Sequence, residues 1–251
     1  MRITIAGYGY VGTAVYDAFS TIYTTNIVDP KINNVTINET SPDAVIICVN
    51  TPESDNGSCD MSNVISVVES TAWDVPILIK STISLKGWKE LKEIYPNRSF
   101  TFSPEFLRAA TATADFLKQE YAIFAGDDAA VWVEIFKQRW PYLNTHICSP
   151  EEAITIKYAE NSFLAVKVSF FNQLYDFCNK TNLNFNTVRK LLCTDLRVGH
   201  DHSFVTEERG WGGHCFPKDT AEFLKAALDH NCDLSILKTT VEYNNKIRKN
   251  A

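Results

Sequence analysis

The sequence has none of the features that mark a secreted or membrane-spanning protein. No signal peptide precedes its first strand-like segment, and no apolar run among its 251 residues is long enough to cross a bilayer. Its seven cysteines are an odd number and include no CxxC pair, which argues against a disulfide framework. These absences predict a cytoplasmic protein with reduced thiols and no membrane partner.

Basic charge and metal-ligand spacing are also missing. The chain has 24 Lys and Arg against 30 Asp and Glu, a net charge of -6, and no basic patch. Nucleic acid is therefore not expected as a partner. His200 and His202 are close together, but no set of cysteines or carboxylates surrounds them at zinc spacing, so we predict no metal site.

The chain begins with the pattern of a dinucleotide-binding fold. Met1–Ala6 is a short apolar strand, and the segment Gly7-Tyr8-Gly9-Tyr10-Val11-Gly12 follows at once and leads into a helical pattern. In this order Gly7 makes the tight turn, Gly9 lets a pyrophosphate approach the backbone, and Gly12 permits close packing of helix on strand. The phosphates would lie at the N-terminus of the helix.

A second predicted strand, residues 26–28, ends in Asp29. A carboxylate at this position accepts hydrogen bonds from a ribose 2′-hydroxyl and repels a 2′-phosphate, so we predict NAD rather than NADP as the cofactor. The alternative, a glycine-rich turn in another α/β fold, fits less well because both flanking strands and the terminal acid are present.

Further short apolar segments continue the alternation of strands and helices, at residues 43–49, 76–80, 99–102, 121–125 and 144–148. This alternation predicts a mostly parallel sheet. Ligands of such sheets bind beyond the carboxyl ends of the strands. Polar segments follow three of the strands: Asn50-Thr51-Pro52, Ser81-Thr82-Ile83 and Ser103-Pro104-Glu105-Phe106-Leu107-Arg108. Ordinary turns and helix caps are the alternative explanation of each segment.

The second half of the chain is predicted to be helical. Ser149-Pro150-Glu151-Glu152 is typical of a helix start with a capping box, and the helical pattern continues to about Lys180 without a breaker. Lys157 and Asn161 would project from one face of this long helix. Shorter helices are predicted at residues 186–193, 220–230 and about 234–249. The predicted fold class is α/β, with a Rossmann-type dinucleotide-binding domain in residues 1–148 and an all-α dimerisation domain with a long central helix in residues 149–251.

The densest group of reactive side chains lies in the segment Gly210-Trp211-Gly212-Gly213-His214-Cys215-Phe216-Pro217-Lys218-Asp219. Three glycines let the backbone pass close to a bound molecule, and a thiol, an ammonium and a carboxylate follow within one short stretch. Such a group suits covalent catalysis by a cysteine. The alternative is a glycine-rich turn with an inert buried cysteine, before a helix that Asp219 or Thr220 caps.

Together these motifs resemble the UDP-glucose/GDP-mannose dehydrogenase family. The resemblance rests on the segments already quoted and on Lys157-Tyr158-Ala159-Glu160-Asn161 and Arg197-Val198-Gly199, in the family's order through nearly the whole chain. It implies an NAD-dependent enzyme that oxidises the primary alcohol of a nucleotide sugar twice, to a carboxylate. It also implies a homodimer formed through the long helix.

The resemblance implies a role for each matched residue. Cys215 would attack the aldehyde formed by the first oxidation, and the resulting thiohemiacetal would lose a second hydride to become a thioester. Lys157, Asn161 and Asp219 would hold the oxyanion and the water. Glu105 would act as base in the hydrolysis, with Thr82 hydrogen-bonded to that water. The implied cofactor-binding residues are Gly7, Gly9, Tyr10, Val11, Gly12, Asp29, Thr51, Pro52 and Thr82, and the implied substrate-binding residues are Glu105, Phe106, Leu107, Arg108, Lys157, Asn161, Arg197 and Gly212.

The sequence departs from the family pattern in two places. Ala109 stands where the family usually carries a second carboxylate. Family members also continue past the last helix into a further α/β domain that covers the nucleotide, whereas this sequence stops at Ala251, so we expect an open cleft. Two alternatives to a nucleotide-sugar dehydrogenase stay open: a dehydrogenase of a smaller alcohol or aldehyde, and a catalytically idle NAD-binding dimer partner.

Overall fold

The computed structural model describes residues 1–52, 54, 59–72, 74–213 and 215–248. The chain divides into two compact units, residues 1–157 and residues 158–251. The predicted domain boundary after residue 148 stays a prediction. His214 of the glycine-rich segment and Lys249 of the last predicted helix lie outside the described residues.

The first unit is built on a seven-stranded sheet with the strand order β2-β1-β3-β4-β5-β6-β7. Its strands are β1 (Arg2–Ala6), β2 (Thr24–Val28), β3 (Ala44–Ile47), β4 (Ile77–Ile79), β5 (Phe100–Phe102), β6 (Tyr121–Gly126) and β7 (Asn144–Cys148). All neighbouring strands are parallel except β5 and β6, which are antiparallel. The predicted mostly parallel sheet is confirmed. The direction of strand progression reverses between β1 and β3, which is where a crevice forms in sheets of this kind.

Helices connect most of these strands: α1 (Tyr10–Phe19), α2 (Ser62–Ser70), α3 (Leu85–Ile94), α4 (Ala112–Leu117) and α5 (Ala129–Arg139), with short 3-10 turns at Asn38–Thr40 and Ala109–Thr111. Aromatic rings form much of the core between helices and sheet. The Phe136 ring is 4.9 Å from that of Phe124 and 5.1 Å from that of Phe19, in edge-to-face geometry. This packing holds the strands whose ends carry the predicted site.

The long helix α6 (Pro150–Lys180) has the bounds that the sequence predicts. Its capping box is formed, because the Ser149 amide donates to Glu152 Oε2 at 2.8 Å and the Glu152 amide donates to Ser149 Oγ at 3.2 Å. The second unit continues with α7 (Phe185–Leu192), α8 (Cys215–Asp229) and α9 (Ser235–Arg248). No helix in the described part of the chain is both long and apolar enough to cross a membrane.

The start of α8 corrects one prediction. The sequence pattern predicted a helix from Thr220, preceded by a loop, but the helix begins at Cys215. Pro217 permits this because a proline in the first turn lacks only an N–H group that has no partner within the helix. Asp219 and Thr220 are therefore interior residues of α8, and the alternative in which one of them caps it is wrong. The Thr220 hydroxyl donates to the Phe216 carbonyl one turn earlier, at 2.7 Å.

Candidate active site

The loop between β1 and α1 has the shape that a dinucleotide needs. Gly7 has φ +92°, and a Cβ there would lie 2.7 Å from the Cys48 carbonyl oxygen. A Cβ on Gly12 would lie 2.0 Å from the Gly7 oxygen, whereas a Cβ on Gly9 would have no atom within 4 Å. The two outer glycines are thus required by close packing, and the middle one leaves the backbone open to a ligand.

The first turn of α1 contains no acidic residue, and no side chain of the described residues caps the helix, so its amides can bind phosphate. Asp29 lies beside the turn that precedes the helix. Asp29 follows β2, and its two carboxylate oxygens accept hydrogen bonds from the amides of Tyr8 at 2.7 Å and Lys31 at 2.8 Å. These residues fit a dinucleotide with an unphosphorylated ribose. Tyr10 is exposed at the helix start, and Val11 packs on the core.

The ends of β3 and β4 are joined to each other by side-chain hydrogen bonds. Thr51 Oγ1 donates to the Thr82 carbonyl at 2.7 Å, and Ser81 Oγ donates to the Val49 carbonyl at 2.7 Å. Pro52 accepts from the amide of Asp60 at 2.9 Å. The polar segments that follow the strands therefore meet at one edge of the sheet, as the parallel topology requires.

Glu105 follows β5 and is the most deeply placed acid of this edge. Its side chain is 11% exposed, and Oε1 lies 3.1 Å from Nζ of Lys80, whose side chain is 1% exposed. Oε2 is buried and has no hydrogen-bond partner among the described residues. Burial raises the pKa of the Glu105 carboxyl, and Lys80 and then Lys157 oppose that rise.

Lys157 reaches the same segment from α6. Its ammonium donates to the main-chain oxygen of Glu105 and lies 5.4 Å from the centre of the Phe106 ring. The three residues after Glu105 have different surroundings. The Phe106 ring is tilted relative to the Tyr121 ring, with centres 5.7 Å apart, and Leu107 packs on the core. Arg108 forms a bidentate pair with Asp115, at 3.0 Å from Nε and 2.8 Å from the terminal nitrogen.

The second unit contains a separate cluster around Asp219. This side chain is 1% exposed and both its oxygens are engaged: Oδ2 accepts from Asn161 Nδ2 at 2.5 Å, and Oδ1 pairs with Lys218 Nζ at 2.6 Å. Cys215 precedes Asp219 by one turn at the first position of α8. A helix N-terminus favours negative charge nearby. The role of Cys215 as nucleophile stays a prediction.

The glycine-rich segment before Cys215 is fastened to α6 and α9. The Trp211 amide donates to Asn244 Oδ1 at 2.7 Å, and Asn244 Nδ2 returns a bond to the Trp211 oxygen at 3.0 Å. Gly210 has φ +56°, and a Cβ there would lie 2.2 Å from Asn244 Oδ1. Gly212 lies against the Arg248 guanidinium. The positive φ and the close contact favour glycine at position 210, whereas Gly212 lies against the end of a flexible side chain.

Arg197 lies on an exposed turn and pairs with Asp195, at 2.6 Å from its terminal nitrogen to Oδ2. Lys167 of α6 donates to the Val198 oxygen at 2.6 Å and thereby holds the same turn. The role that the resemblance implies for Arg197, contact with the substrate, stays a prediction.

Sequence reasoning missed several polar residues that build these clusters. The sequence pattern places Lys80 only at the end of an apolar strand, although a lysine directly after such a strand and before Ser81-Thr82 is a signal of a buried partner. Asn244 carries no local signal, since its partner Trp211 is distant in sequence.

Neither a disulfide nor a candidate metal cluster is found in the described residues. Cys48, predicted to be a core residue, is buried, and burial raises the pKa of its thiol to about 12. Cys48 is therefore a poor nucleophile, whereas Cys215 is partly exposed at a helix N-terminus.

Comparison with known structures shows the fold. A UDP-glucose dehydrogenase from Pyrobaculum islandicum superposes with a TM-score of 0.82 at 23% identity, covering 98% of this chain and 68% of that protein. A UDP-D-ManNAc dehydrogenase from Pyrococcus horikoshii has a TM-score of 0.79 at 21% identity, with 98% and 69% covered. The predicted arrangement of a Rossmann-type domain followed by a helical domain with a long helix is confirmed.

Sequence comparison extends the likeness to the family. The chain is 32% identical over 228 residues to a UDP-glucose 6-dehydrogenase from Rickettsia conorii, which covers 85% of this chain and 52% of the relative. It is 29% identical over 241 residues to the UDP-glucose 6-dehydrogenase of Bacillus subtilis, covering 89% and 51%. The chain thus spans about half the length of the curated relatives it matches.

Two domain families match the two parts of the chain. Residues 33–138 match the NAD binding domain of the UDP-glucose/GDP-mannose dehydrogenase family, and residues 151–246 match its central domain. The predicted cofactor, NAD, is confirmed by the first of these matches. Both domain matches and the curated relatives agree, and the chain belongs to the UDP-glucose/GDP-mannose dehydrogenase family.

Proposed function

We propose that this chain forms the NAD-binding and central domains of a nucleotide-sugar dehydrogenase that oxidises the C6 alcohol of a UDP-glucose-like substrate to a carboxylate. The observation that carries the proposal is the pair of buried polar clusters around Glu105 and Asp219, in a chain that contains both family domains. Each cluster includes residues that the cysteine mechanism requires.

The chemistry proceeds through a covalent intermediate on Cys215. Bound NAD would accept one hydride in each of the two oxidations. After the first oxidation, the Cys215 sulfur forms a bond to the aldehyde carbon, and the thiol proton passes to the carbonyl oxygen to give a thiohemiacetal. Loss of that proton and of the second hydride leaves a thioester, which holds the product until water attacks.

Hydrolysis of the thioester needs a base and a site for the oxyanion. Glu105 Oε2 removes a proton from the water while the water oxygen forms a bond to the thioester carbon. The C–S bond then breaks, and its electron pair returns to the Cys215 sulfur. The Asn161 amide and the Lys157 ammonium would stabilise the oxyanion. Asp219, with both oxygens engaged, orients Asn161, and Thr82 would hydrogen-bond the water.

The predicted cofactor and substrate contacts follow from the same assignment. The glycine loop of residues 7–12 would hold the pyrophosphate, Asp29 the ribose hydroxyls, and Thr51, Pro52 and Thr82 the nicotinamide end of the cofactor. Phe106, Leu107, Arg108 and Gly212 would contact the substrate, and a neighbouring subunit would supply Arg197. The cytoplasmic location stays a prediction of the sequence.

The predicted homodimer is supported by an aromatic stripe on α6. Phe163, Phe170 and Phe177 recur every seven residues and are 66%, 54% and 59% exposed. Side chains at this spacing share one face of a helix, and large exposed apolar residues in a row indicate an interface. A second copy of α6 would cover them.

The Phe170→Glu variant places a charge in this stripe, so we expect it to be a monomer, and light scattering measures its mass. The control is Tyr142→Glu, which changes an exposed residue before β7 and should leave the dimer intact.

The decisive experiment follows reduced nicotinamide during incubation with NAD and a panel of UDP- and GDP-sugars. We expect about two reduced cofactors per sugar consumed, and failure of the Cys215→Ala variant to complete the oxidation. Turnover of a small alcohol in place of any nucleotide sugar would replace the proposal with the first alternative. NAD binding without turnover of any substrate would support the idle dimer partner.

A further inference from the structure

A lysine is buried at the end of β4 with almost none of its side chain exposed. Lys80 directly follows the apolar strand Ile77–Ile79, and its side chain is 1% exposed. Its ammonium lies 5.6 Å and 5.5 Å from the ring centres of Phe116 and Phe136 in the core. Transfer of an ammonium from water to such a place is costly unless the charge is paired and hydrogen-bonded.

The partners of Lys80 fix its orientation. Nζ lies 3.1 Å from Glu105 Oε1, 3.3 Å from the Ser103 carbonyl oxygen and 3.2 Å from Ser103 Oγ. A lysine ammonium has three N–H donors, and these three acceptors can take all of them. The ammonium therefore binds one defined oxygen of Glu105 rather than moving between the two.

The other ionisable groups around Glu105 act differently. Lys157 of α6 donates to the main-chain oxygen of Glu105, not to its carboxylate. Cys48, after β3, interacts electrostatically with both Lys80 and Glu105, but burial raises the pKa of its thiol to about 12 and keeps it neutral. Within the described residues, Lys80 is thus the cation in ion-pair contact with the Glu105 carboxylate, and Oε2 is left without a partner.

We propose that Lys80 is the positioning residue of the general base: it binds Oε1, favours the ionised form of Glu105 in a buried place, and leaves Oε2 to accept the proton. The inference deepens the proposed function, because Glu105 acts there as the base that takes a proton from water. In that step the proton moves from water to Oε2, and Lys80 keeps its own protons throughout. The basic oxygen is thereby specified by geometry.

The electrostatics agree with this arrangement. Burial raises the pKa of the Glu105 carboxyl, and Lys80 is the first of the groups that oppose that rise. A neutral residue in place of Lys80 removes this opposition, so Glu105 should hold its proton to higher pH and act as a base only at correspondingly higher pH.

The test is a carboxyl titration of the whole chain, labelled with ¹³C at the glutamate side-chain carboxyl. The Glu105 signal is assigned by its absence in Glu105→Gln. In Lys80→Met we expect the titration midpoint of Glu105 to move upward by at least about one pH unit. Lys80→Gln removes the charge but keeps a hydrogen-bond donor, so it gives the same readout should the methionine variant fail to fold. Lys80→Arg should leave the midpoint close to that of the wild type.

The matched control is Lys92→Met. Lys92 also pairs with a carboxylate, Asp127 at 2.8 Å, also donates to a backbone carbonyl, that of Arg98 at 3.1 Å, and also lies near a ring, Phe100 at 5.7 Å. Its removal should leave the Glu105 titration unchanged. An unchanged midpoint in folded Lys80→Met or Lys80→Gln would overturn the proposal, and so would an equal shift in Lys92→Met.

The titration does not depend on turnover, so it separates this inference from the proposed function. If the chain oxidises a nucleotide sugar, the acidic limb of its pH–rate profile should move upward in Lys80→Met together with the Glu105 midpoint, and Lys80→Arg should restore it. If the midpoint moves but no sugar is oxidised, the role of Lys80 stands and the assigned reaction is wrong.

Discussion

Two buried acids, one in each unit, differ in how many of their oxygens are engaged. Glu105 in the first unit has Lys80 on one oxygen, while its other oxygen has no partner among the described residues. Asp219 in the second unit has Asn161 on one oxygen and Lys218 on the other. Both acids are paired with lysine, so the presence of a cation alone does not distinguish them.

The difference in engaged oxygens suits the two carboxylates to different roles. A carboxylate that keeps one oxygen available can receive a proton, so Glu105 suits a base. A carboxylate with both oxygens bound to donors is better suited to hold those donors in place, so Asp219 suits orientation of Asn161 and Lys218. The two acids are thus suited to different roles, a base in the first unit and alignment of donors in the second.

The largest expected effect is on turnover. If Glu105 is the base, Glu105→Gln should lower the steady-state rate of NAD reduction by about 10²- to 10⁴-fold, the usual contribution of a positioned general base. Because the defect lies in hydrolysis, an acyl adduct on Cys215 should accumulate and appear in the intact mass. The control is Glu93→Gln, an exposed acid of α3. A rate within a few-fold of the wild type, without an adduct, would remove Glu105 from the chemistry.

The next effect is on stability in the second unit. Asp219→Ala leaves the Asn161 amide and the Lys218 ammonium without their acceptor, and loss of one partner of a buried pair costs about 3–5 kcal/mol of unfolding free energy. Asp229→Ala is the matched control, because Asp229 lies in the same helix and forms only an exposed pair with Lys225 at 3.8 Å. Its cost should be below about 0.5 kcal/mol. Equal urea midpoints for the two variants would contradict the structural role of Asp219.

The sequence predicts the elements β5 and α6 better than it predicts the pairings of the two acids with their partners. Strand ends and the capping box of α6 are local patterns, so β5 before Glu105 and the helix that carries Asn161 could be predicted from neighbouring residues. Lys80 and Glu105 come from different strands, and their pairing depends on the adjacency of β4 and β5 in the sheet. Local periodicity does not contain that adjacency.

The helix that carries Asp219 was predicted to start too late for a related reason. Three glycines and Pro217 make the segment look like a loop, but proline fits the first turn and the chain turns helical at Cys215. The anchoring of that segment by Asn244 is a contact between distant parts of the chain. The sequence alone missed these features because the contacts join distant parts of the chain, and because the glycines and Pro217 give the start of α8 the pattern of a loop.

Asp29 is a third acid to compare with Glu105 and Asp219, and its substitution should have a moderate effect on NAD binding. Like Asp219 it has both oxygens engaged, by the amides of Tyr8 and Lys31, but it lies at the predicted ribose position. Asp29→Asn removes charge-assisted hydrogen bonding worth about 1.5 kcal/mol, so the Kd for NAD should rise roughly tenfold. Discrimination against NADP should fall as well. Calorimetric titration with both cofactors measures this, with Asp17→Asn as control, an exposed acid of α1. An unchanged ratio of the two affinities would exclude Asp29 from ribose recognition.

The smallest effects are the pH dependences of stability, which should have opposite signs for two acids of the first unit. The pKa of Glu105 is raised by burial, so its contribution is present below its ordinary pKa of 4.5 and is lost as pH rises above it. Hydrogen bonds from Arg108 hold the pKa of Asp115 far below its ordinary value of 3.8, so its contribution is present above that value and is lost as pH falls. The urea midpoint of the wild type minus that of Glu105→Gln should therefore decrease between roughly pH 5 and pH 8, a range that lies above the ordinary glutamate pKa. The same difference taken against Asp115→Asn should decrease in the acidic direction. If the two midpoint differences change with pH in the same direction, the ionised form of Glu105 stabilises the fold. The attraction of Lys80 would then outweigh the cost of burying the charge instead of offsetting part of it.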